Sequence, residues 1–326
     1  MNILITGGAG YIGSHVLNLL SKQTDHNLFV YDNLSTGRRE SVVAGKLIQA
    51  DLEDLETLEK TISHNKIDAI FHFAGSIVVP ESVSNPIKYY KNNTLNTLNL
   101  MDLSIKYKIN RFIFSSTAAV YGVPEGGIAR VGDPTYPINP YGSTKLMTEQ
   151  MLKDVGVAHP EFRFIILRYF NVAGAAIDGS VGQCTPNATH LLKIACQTAL
   201  GKRKKMHIFG DDYNTPDGTC IRDYIHVDDL AQAHIDGLNY LNNGGNSETF
   251  NVGYGKGYSV KEVLSAAKKV TNVNFQTEIG ARRDGDAPIL VSEAKDVTQK
   301  TGWKPKNNDL NLIIKTAIKW EEGLQH

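Results

Sequence analysis

The sequence has 326 residues, in which 34 lysines and arginines balance 34 aspartates and glutamates. This length allows two domains, or one large α/β unit with an ample core. Because the formal net charge is zero, charge gives no reason to expect a nucleic acid or an anionic membrane as a partner.

Short apolar runs alternate with longer amphipathic segments as far as about residue 171. The predicted strands are Asn2–Thr6, Leu28–Asp32, Lys46–Ala50, Ala69–Phe73, Phe112–Ser116 and Phe164–Tyr169. Helices are predicted after Tyr11, Leu55, Pro86, Pro140 and Asn187. Since the strands are continuously apolar, both faces of their sheet are expected to be covered. The alternation therefore predicts an α/β fold with a doubly wound, Rossmann-like parallel sheet.

The residue composition changes after Ala175, where long polar loops with glycine and proline begin. We predict a first domain over residues 1–175 and a smaller, mixed α/β second domain over residues 176–326. Residues 221–245 again resemble a strand and a helix, so this segment is a candidate to pack back on the first domain.

A glycine array follows the first predicted strand in "ILITGGAGYIG", with Gly7, Gly10 and Gly13 in GxxGxxG spacing. Such glycines allow a tight turn and close approach to a pyrophosphate, and the following helix presents free N–H groups to it. The spacing is the variant of short-chain dehydrogenases/reductases. An ordinary glycine-rich turn is the alternative.

An acidic residue ends the next predicted strand, since "FVYDN" places Asp32 nineteen residues after Gly13. A carboxylate there accepts hydrogen bonds from ribose hydroxyls and repels a 2′-phosphate, which favours NAD over NADP. Asp32 is otherwise a turn residue. Weaker candidates are Asp51 and Leu52 against the adenine, and Phe73, Ala74 and Gly75 along the cofactor.

Tyr141 and Lys145 lie four residues apart, just after Pro140, so they share a face of one helix. A neighbouring ammonium and a nicotinamide cation both favour the phenolate over the phenol, whose ordinary pKa is about 10. We predict that Tyr141 is a base near neutral pH. Thr117, after the strand Phe112–Ser116, is predicted to hydrogen-bond the same substrate oxygen.

The motifs together resemble the UDP-glucose 4-epimerase family of extended short-chain dehydrogenases/reductases. The similarity runs in order along nearly the whole chain. The sequence segments that carry the similarity are "TGGAGYIGSH", "FHFAG", "ESVSNPIKYYKNN", "FIFSSTAAVYG", "PYGSTKLMTEQ", "LRYFNVAGA", "IFGDDYNTPDGTCIRDYIHVDDLA" and "RRDGDAP".

The resemblance implies reversible C4 epimerisation of UDP-galactose and UDP-glucose through a transient 4-keto sugar, with NAD as a retained cofactor. It makes residues 1–175 the NAD-binding part and residues 176–326 the nucleotide-sugar-binding part. It implies that Tyr141 transfers the proton. It also implies that Lys145 holds the nicotinamide ribose and tunes the pKa of Tyr141. The further cofactor contacts that it implies are Tyr11, Ile12, Asn33, Asn92 and Phe170. The substrate contacts that it implies are Thr117, Tyr141, Asn171, His190, Leu191, Phe209, Arg222, Arg283, Asp286 and Leu290.

Three positions depart from the family pattern. The active-site hydroxyl is usually a serine, and here it is Thr117. Ile77 replaces a lysine that some members carry near the cofactor phosphates. Leu290 occupies the gate for N-acetylated sugars, so partial acceptance of UDP-N-acetyl sugars is a hypothesis. Arg222 and Arg283, read without the resemblance, are equally compatible with surface ion pairs.

Rival functions are an epimerase for other UDP sugars (N-acetylated, pentose or uronic acid), a nucleotide-sugar 4,6-dehydratase, a plain alcohol dehydrogenase and a non-catalytic NAD sensor. The dehydratase family carries Asp-Glu after the active-site threonine, where this chain has Ala118 and Ala119. A dehydrogenase has no need of the long substrate segment and its two arginines. A sensor has no need of the Tyr/Lys pair.

Partners and location follow from composition and resemblance. Cys184, Cys196 and Cys220 have neither CxxC spacing nor an even number, which favours reduced thiols and a cytoplasmic protein. The start of the chain lacks the regions of a signal peptide, and no apolar run approaches the ~18 residues of a membrane span. No cluster has convincing metal spacing. Apolar stripes follow Pro86 and Pro140, and packing on the sheet accounts for part of each stripe. In the family that the chain resembles, such a pair of helices forms an intersubunit bundle, so the resemblance implies a homodimer.

Overall fold

The computed structural model describes residues 1–185, 189–283 and 286–324, and within them the chain forms fourteen strands and eleven α-helices. The strands are β1 (Asn2–Thr6), β2 (Asn27–Asp32), β3 (Lys46–Gln49), β4 (Ala69–His72), β5 (Arg111–Ser115), β6 (Ile128–Ala129), β7 (Arg163–Tyr169), β8 (Asn171–Ala173), β9 (Met206–Phe209), β10 (Ile221–His226), β11 (Glu248–Val252), β12 (Gly257–Ser259), β13 (Thr277–Gly280) and β14 (Ile289–Ser292). The helices are α1 (Tyr11–Gln23), α2 (Leu55–Asn65), α3 (Val79–Ser84), α4 (Pro86–Tyr89), α5 (Asn96–Lys106), α6 (Pro140–Ala158), α7 (Leu191–Ala199), α8 (Val227–Asn242), α9 (Val260–Thr271), α10 (Lys295–Thr301) and α11 (Leu310–Gly323). A π-helical segment at Tyr90–Leu95 joins α4 to α5.

Seven strands form the central sheet in the order β3-β2-β1-β4-β5-β7-β11, and every neighbouring pair is parallel. The predicted doubly wound sheet is confirmed, with strand ends within one residue of the prediction. The direction of the strand order reverses between β1 and β4, which is where such sheets open a ligand crevice at their carboxyl ends. The helix predicted after Asn187 begins at Leu191; Asn187 itself lies outside the described residues.

Both faces of the central sheet are buried, as the continuous apolar strands predict. In β1, Ile3 and Ile5 face a core that contains residues of α1 and α8, whereas Leu4 faces a second core that contains residues of α2 and α5. All three side chains are fully buried. Successive side chains of a strand point to opposite faces, so a strand between two helical layers must be apolar at every position.

The core of the first face uses residues far beyond position 175. Strand β11 adds the seventh strand beside β7, and α8 packs on α1. Trp303 is buried in the same core and donates from Nε1 to the carbonyl of Asp229 at 2.9 Å. The segment 221–245 thus lies partly on the central sheet through α8. The division of the chain at residue 175 stays a prediction.

A smaller sheet starts where the central strand β7 ends. Only Phe170 separates β7 from β8, and β8 pairs with β10. The rest of this sheet has the order β12-β10-β14-β6, and helices α7, α9 and α11 pack around a separate apolar cluster beside it. The carboxyl end of β7 therefore continues directly into the smaller sheet.

None of the helices in the described part of the chain has the length and apolar character that crossing a membrane requires.

Candidate active site

The glycine loop connects β1 to α1 and lies against the end of β4. Gly7 has φ of +70°, and a methyl group there would lie 2.6 Å from the backbone nitrogen of Ala74. A methyl group at Gly13 would lie 2.4 Å from the carbonyl oxygen of Gly7. Glycine is therefore required at both positions. Since no described side chain caps α1, its first N–H groups are free to bind an anion.

Asp32 joins the end of β2 to this loop. Its carboxylate accepts hydrogen bonds from the N–H groups of Ala9 at 2.9 Å and Leu34 at 2.8 Å. Burial raises the pKa of the Asp32 carboxyl, and these two hydrogen bonds act against the rise. The structure thus places the predicted ribose-binding carboxylate directly beside the predicted phosphate loop.

Further predicted cofactor contacts surround the loop. Asn33 donates from Nδ2 to the Asp51 carboxylate at 2.6 Å, and Leu52 is buried in the adjoining core. Tyr11, at the start of α1, donates from its hydroxyl to the carbonyl of Gly174 at 2.6 Å, while Ile12 packs against the core of the first face.

The segment that follows β4 lies between the glycine loop and α6. The N–H groups of Phe73 and Ala74 donate to the carbonyl of Thr6, at 2.9 and 3.1 Å. A methyl group at Gly75 would lie 3.7 Å from Nζ of Lys145. In the π-helical segment, Asn92 donates from Nδ2 to Oγ of Ser76 at 2.9 Å. π-Helical turns occur frequently at functional sites.

Helix α6 starts so that Tyr141 and Lys145 point into the protein. The Asn139 side chain accepts a hydrogen bond from the N–H of Gly142 at 2.8 Å, and Pro140 occupies the first helical position. Tyr141 is 7% exposed and Lys145 is 3% exposed. The spacing of four residues therefore brings both side chains to one buried face, as predicted.

Thr117 lies beside Tyr141, and Lys145 bonds the neighbouring strand end. The Thr117 side chain lowers the pKa of the Tyr141 phenol. The Lys145 ammonium donates from Nζ to the carbonyl of Ser115 at 3.0 Å and lies 4.8 Å from the centre of the Phe114 ring. Strand β5 thus ends against both side chains.

The direction of the Tyr141 pKa differs from the prediction. Burial raises the pKa of the phenol well above its ordinary value, and the nearby Tyr169 and Tyr89 raise it further. The protein group that lowers it is Thr117, not Lys145. Burial also lowers the pKa of Lys145, to about 8. Spacing along a helix predicts which side chains are neighbours, but it does not predict how strongly burial disfavours their charged forms.

Four predicted substrate residues come together at the end of β9. The Asp286 carboxylate lies 3.5 Å from Nη2 of Arg222 and 2.9 Å from Nε of Arg283. The Arg283 guanidinium lies 4.9 Å from the centre of the Phe209 ring, which is 42% exposed. Two cations, one carboxylate and an open aromatic face suit a planar base that carries phosphate and hydroxyl groups.

The remaining predicted substrate residues occupy separate positions. Asn171 begins β8 and is paired in register with Tyr224. His190 precedes α7 and accepts a hydrogen bond from Nε2 of Gln183 at 2.7 Å; burial lowers its pKa, which fits a neutral acceptor. Leu191 is the first residue of α7.

Leu290 packs against residues of the segment that follows β5. It pairs in register with Arg222, and its side chain packs against a buried cluster that includes Phe170 and Tyr121. The same cluster contains Ala118, the residue after Thr117. The predicted gate and the predicted cofactor contact Phe170 are therefore neighbours.

Comparison with known proteins agrees with this geometry. The sequence model of the NAD-dependent epimerase/dehydratase family matches residues 3–253. This chain belongs to that family. A curated relative from Azospirillum brasilense, named UDP-glucose 4-epimerase, is 51% identical over an aligned length of 326 positions that covers 99% of this chain and 92% of the relative. The resemblance inferred from the motifs is confirmed.

Solved structures of epimerases have the same fold. The UDP-Glc/GlcNAc 4-epimerase from Campylobacter jejuni is 51% identical, with a TM-score of 0.86 and 99% of each chain covered. A UDP-glucose 4-epimerase from Brucella ovis, solved in complex with NAD, is 42% identical, with a TM-score of 0.92 over 98% of this chain and 97% of that chain.

The residues of this epimerase-family chain fit the NAD that the family name implies. The glycine loop leaves no space for side chains at Gly7 and Gly13, and an acidic residue stands at its edge. This arrangement suits a pyrophosphate and a ribose with a free 2′-hydroxyl. Ile77, which replaces the lysine of some members, is 45% exposed and adds no charge.

Sequence reasoning missed a buried polar network behind Thr117. Glu149 on α6 accepts from Oγ of Ser116 at 2.5 Å and pairs with Arg168 on β7. Tyr121 and Asn251 extend the network, joined by a hydrogen bond of 2.7 Å. The available signal was the position of Glu149, four residues after Lys145 on the same helix face.

Within residues 1–185, 189–283 and 286–324, no three or more His, Cys, Asp or Glu side chains are grouped to hold a metal ion.

Proposed function

We propose that this chain catalyses the NAD-dependent, reversible epimerisation of UDP-galactose and UDP-glucose at C4, through a transient 4-keto sugar. The observation that carries the proposal is the buried face of α6 that holds Tyr141 and Lys145, with Thr117 lowering the pKa of the phenol, beside a glycine loop that leaves no space for side chains. The names of the relatives from Azospirillum brasilense and Brucella ovis support it.

Tyr141 takes the proton of the sugar 4-hydroxyl and later returns it to the same oxygen. Thr117 lowers the pKa of the phenol and so stabilises its ionised form. Lys145 holds the nicotinamide ribose and adds a positive charge to the site. When bound, NAD supplies reversible hydride acceptance and, in its oxidised form, a positive charge that favours a neighbouring phenolate.

The nucleotide part of the substrate is anchored on the smaller sheet in this proposal. Arg222 and Arg283 bind the diphosphate, Asp286 accepts from a ribose hydroxyl and Phe209 lies against the uridine. Support comes from their grouping, with both arginines on the Asp286 carboxylate. Firm anchoring of the nucleotide allows loose contacts to the sugar, which must present both faces to the cofactor. Residues 1–175 then bind mainly the NAD, and residues 176–326 mainly the nucleotide sugar.

A direct assay tests the proposal. Purified protein is incubated with UDP-galactose without added NAD, and UDP-glucose is measured. Tyr141→Phe keeps the ring and removes the proton-transfer group, so it is expected to lose most turnover while still binding UDP. Full activity in this variant would remove Tyr141 from the mechanism, and an inactive wild-type protein with bound NAD would reject the function.

A second candidate activity is epimerisation of UDP-N-acetyl sugars. It is favoured by Leu290, which is smaller than a tyrosine and packs beside Phe170, and by the Campylobacter jejuni relative, a UDP-Glc/GlcNAc 4-epimerase. Leu290→Tyr is expected to lower turnover of UDP-GlcNAc and to spare UDP-glucose. Equal effects on both sugars would exclude Leu290 as the gate.

A cytoplasmic homodimer is the assembly that we propose. Tyr90, Leu95 and Leu98 on the π-helical segment and α5, and Met147 on α6, are 36% to 49% exposed. These elements pack on each other, so a second copy would cover their apolar side chains. A monomer mass by light scattering would contradict the dimer.

The three cysteines are free thiols, which suits a reducing compartment.

A further inference from the structure

Three consecutive residues at the end of β5 each lie opposite a residue on the same face of α6. The first contact joins a carbonyl to an ammonium at 3.0 Å, the second joins a hydroxyl to a carboxylate at 2.5 Å, and in the third a threonine side chain lowers the pKa of a phenol. The pairs are Ser115 with Lys145, Ser116 with Glu149, and Thr117 with Tyr141. Two of these contacts hold groups that the proposed reaction uses, whereas the middle one holds a carboxylate with no assigned role.

Glu149 occupies its buried position because Arg168 neutralises it. Their side chains are 0% and 3% exposed. Arg168 donates from Nε to both carboxylate oxygens, at 2.9 and 3.1 Å, and from Nη2 to Oε2 at 2.5 Å. A bidentate arginine fixes the plane of a carboxylate as well as its charge. The oxygen that accepts from Ser116 is therefore held in one orientation.

Arg168 is itself fixed on its far side. Its Nη1 donates to the Tyr121 hydroxyl at 2.9 Å, and its guanidinium lies 4.8 Å from the centre of that ring. The Tyr121 hydroxyl donates to Oδ1 of Asn251 at 2.7 Å, and Asn251 donates to the carbonyl of Ala129 at 2.8 Å. The carboxylate thus belongs to a chain of satisfied buried groups that spans α6, β7 and β11.

We propose that Glu149 is a positioning residue for the Tyr141–Thr117 pair, acting through Ser116. The inference rests on the proposed epimerase function. Thr117 follows Ser116 directly, and the Ser116 backbone N–H also donates to the carbonyl of Leu167 at 2.8 Å. Because the Ser116 hydroxyl and the Ser116 backbone N–H are both hydrogen-bonded, the strand end holds the Thr117 hydroxyl in a fixed position opposite Tyr141. The Glu149 carboxylate also acts against the burial that lowers the pKa of Lys145.

The test must separate positioning from simple stabilisation. Glu149→Gln is unsuitable, because it leaves the Arg168 charge unpaired in the interior and risks misfolding. Ser116→Ala removes only the link between the ion pair and the strand. Ser104→Ala is the matched control, because Ser104 is also fully buried and donates to a backbone carbonyl, that of Leu100, at 2.6 Å.

Both variants and the wild-type protein are compared in urea unfolding and in UDP-galactose turnover across pH. Both alanine variants are expected to lose similar stability. Only Ser116→Ala is expected to lower kcat about fivefold to tenfold at neutral pH, with little change in KM. The acid limb of the kcat–pH profile of Ser116→Ala is expected to move to a pH about half a unit to one unit higher. The reason is that a less firmly held Thr117 lowers the Tyr141 pKa less.

The outcomes are distinguishable. An active wild-type protein with unchanged kcat and pH profile in Ser116→Ala would overturn the positioning role alone. The same kinetic loss in Ser104→Ala would also overturn it, because the effect would then follow stability. A wild-type protein that carried NAD but left UDP-galactose unchanged would reject the epimerase function and the positioning role together.

Discussion

The ammonium of Lys145 donates a hydrogen bond to the carbonyl oxygen of Ser115 at 3.0 Å, one helical turn beyond Tyr141. This contact secures the charged group in a site where only 3% of the lysine is exposed. One carbonyl does not replace the lost hydration, so burial lowers the pKa of Lys145 to about 8.

The low pKa of Lys145 predicts a pH-dependent stability. Between about pH 8 and pH 10.5 the unfolded chain keeps this proton and the folded protein does not, so the contribution of Lys145 to stability rises with pH in that window. Lys145→Met removes the titration. The free energy of unfolding of the variant, relative to wild type, is therefore expected to fall by about 2 kcal/mol from pH 7 to pH 10.

Urea unfolding at matched NAD content measures this difference. Lys153→Met on the exposed part of α6 is the control, and its difference from wild type should stay constant across the same range. A constant difference for Lys145→Met as well would mean that the buried lysine keeps its ordinary pKa.

The hydroxyl of Thr117 is expected to matter more than its methyl group. Thr117→Val keeps the shape and loses the hydroxyl that lowers the Tyr141 pKa, so turnover of UDP-galactose at pH 7 should fall about tenfold to a hundredfold. Thr117→Ser retains the hydroxyl and should stay within about threefold of wild type. Equal losses in the two variants would assign the effect to packing.

Gly13 is predicted to be essential for retaining the cofactor. A methyl group at this position would lie 2.4 Å from the Gly7 carbonyl oxygen, so Gly13→Ala must move the loop that we predict to bind the pyrophosphate. The NAD content after acid release should fall at least about tenfold. Gly132→Ala is the control, because nothing lies within 4 Å of a methyl group there. NAD content at the wild-type level in Gly13→Ala would place the pyrophosphate elsewhere.

Much of the fold and of the site could be predicted because the relevant signals are local. Apolar runs of five or six residues predicted six of the seven central strands, and the spacing between Gly7 and Gly13 marked the loop between β1 and α1. The four-residue separation of Tyr141 and Lys145 placed both on one helix face. Each of these signals is contained in a short stretch of sequence.

The features that escaped prediction depend on residues far apart in the chain. Glu149 and Arg168 are charged types that usually lie at the surface, and only the packing of α6 on β7 shows that they meet in the interior. Trp303 joins the core of the first face although it lies far beyond residue 175. The raised pKa of Tyr141 is similarly a consequence of burial, which helical spacing does not report.

The stacking of Arg283 on Phe209 predicts a specific loss of nucleotide affinity. Arg283→Lys keeps the charge but loses the planar group that lies 4.9 Å from the ring and donates to Asp286. The Kd for UDP, measured by calorimetry, should rise about tenfold. NAD content should not change, because the glycine loop is intact. Arg203→Lys, whose arginine donates to Gln197 at 2.7 Å, is the control and should bind UDP like wild type. Wild-type affinity in Arg283→Lys would show that the diphosphate is bound without this guanidinium, whereas a parallel loss of NAD would indicate a change in the fold instead of the substrate anchor.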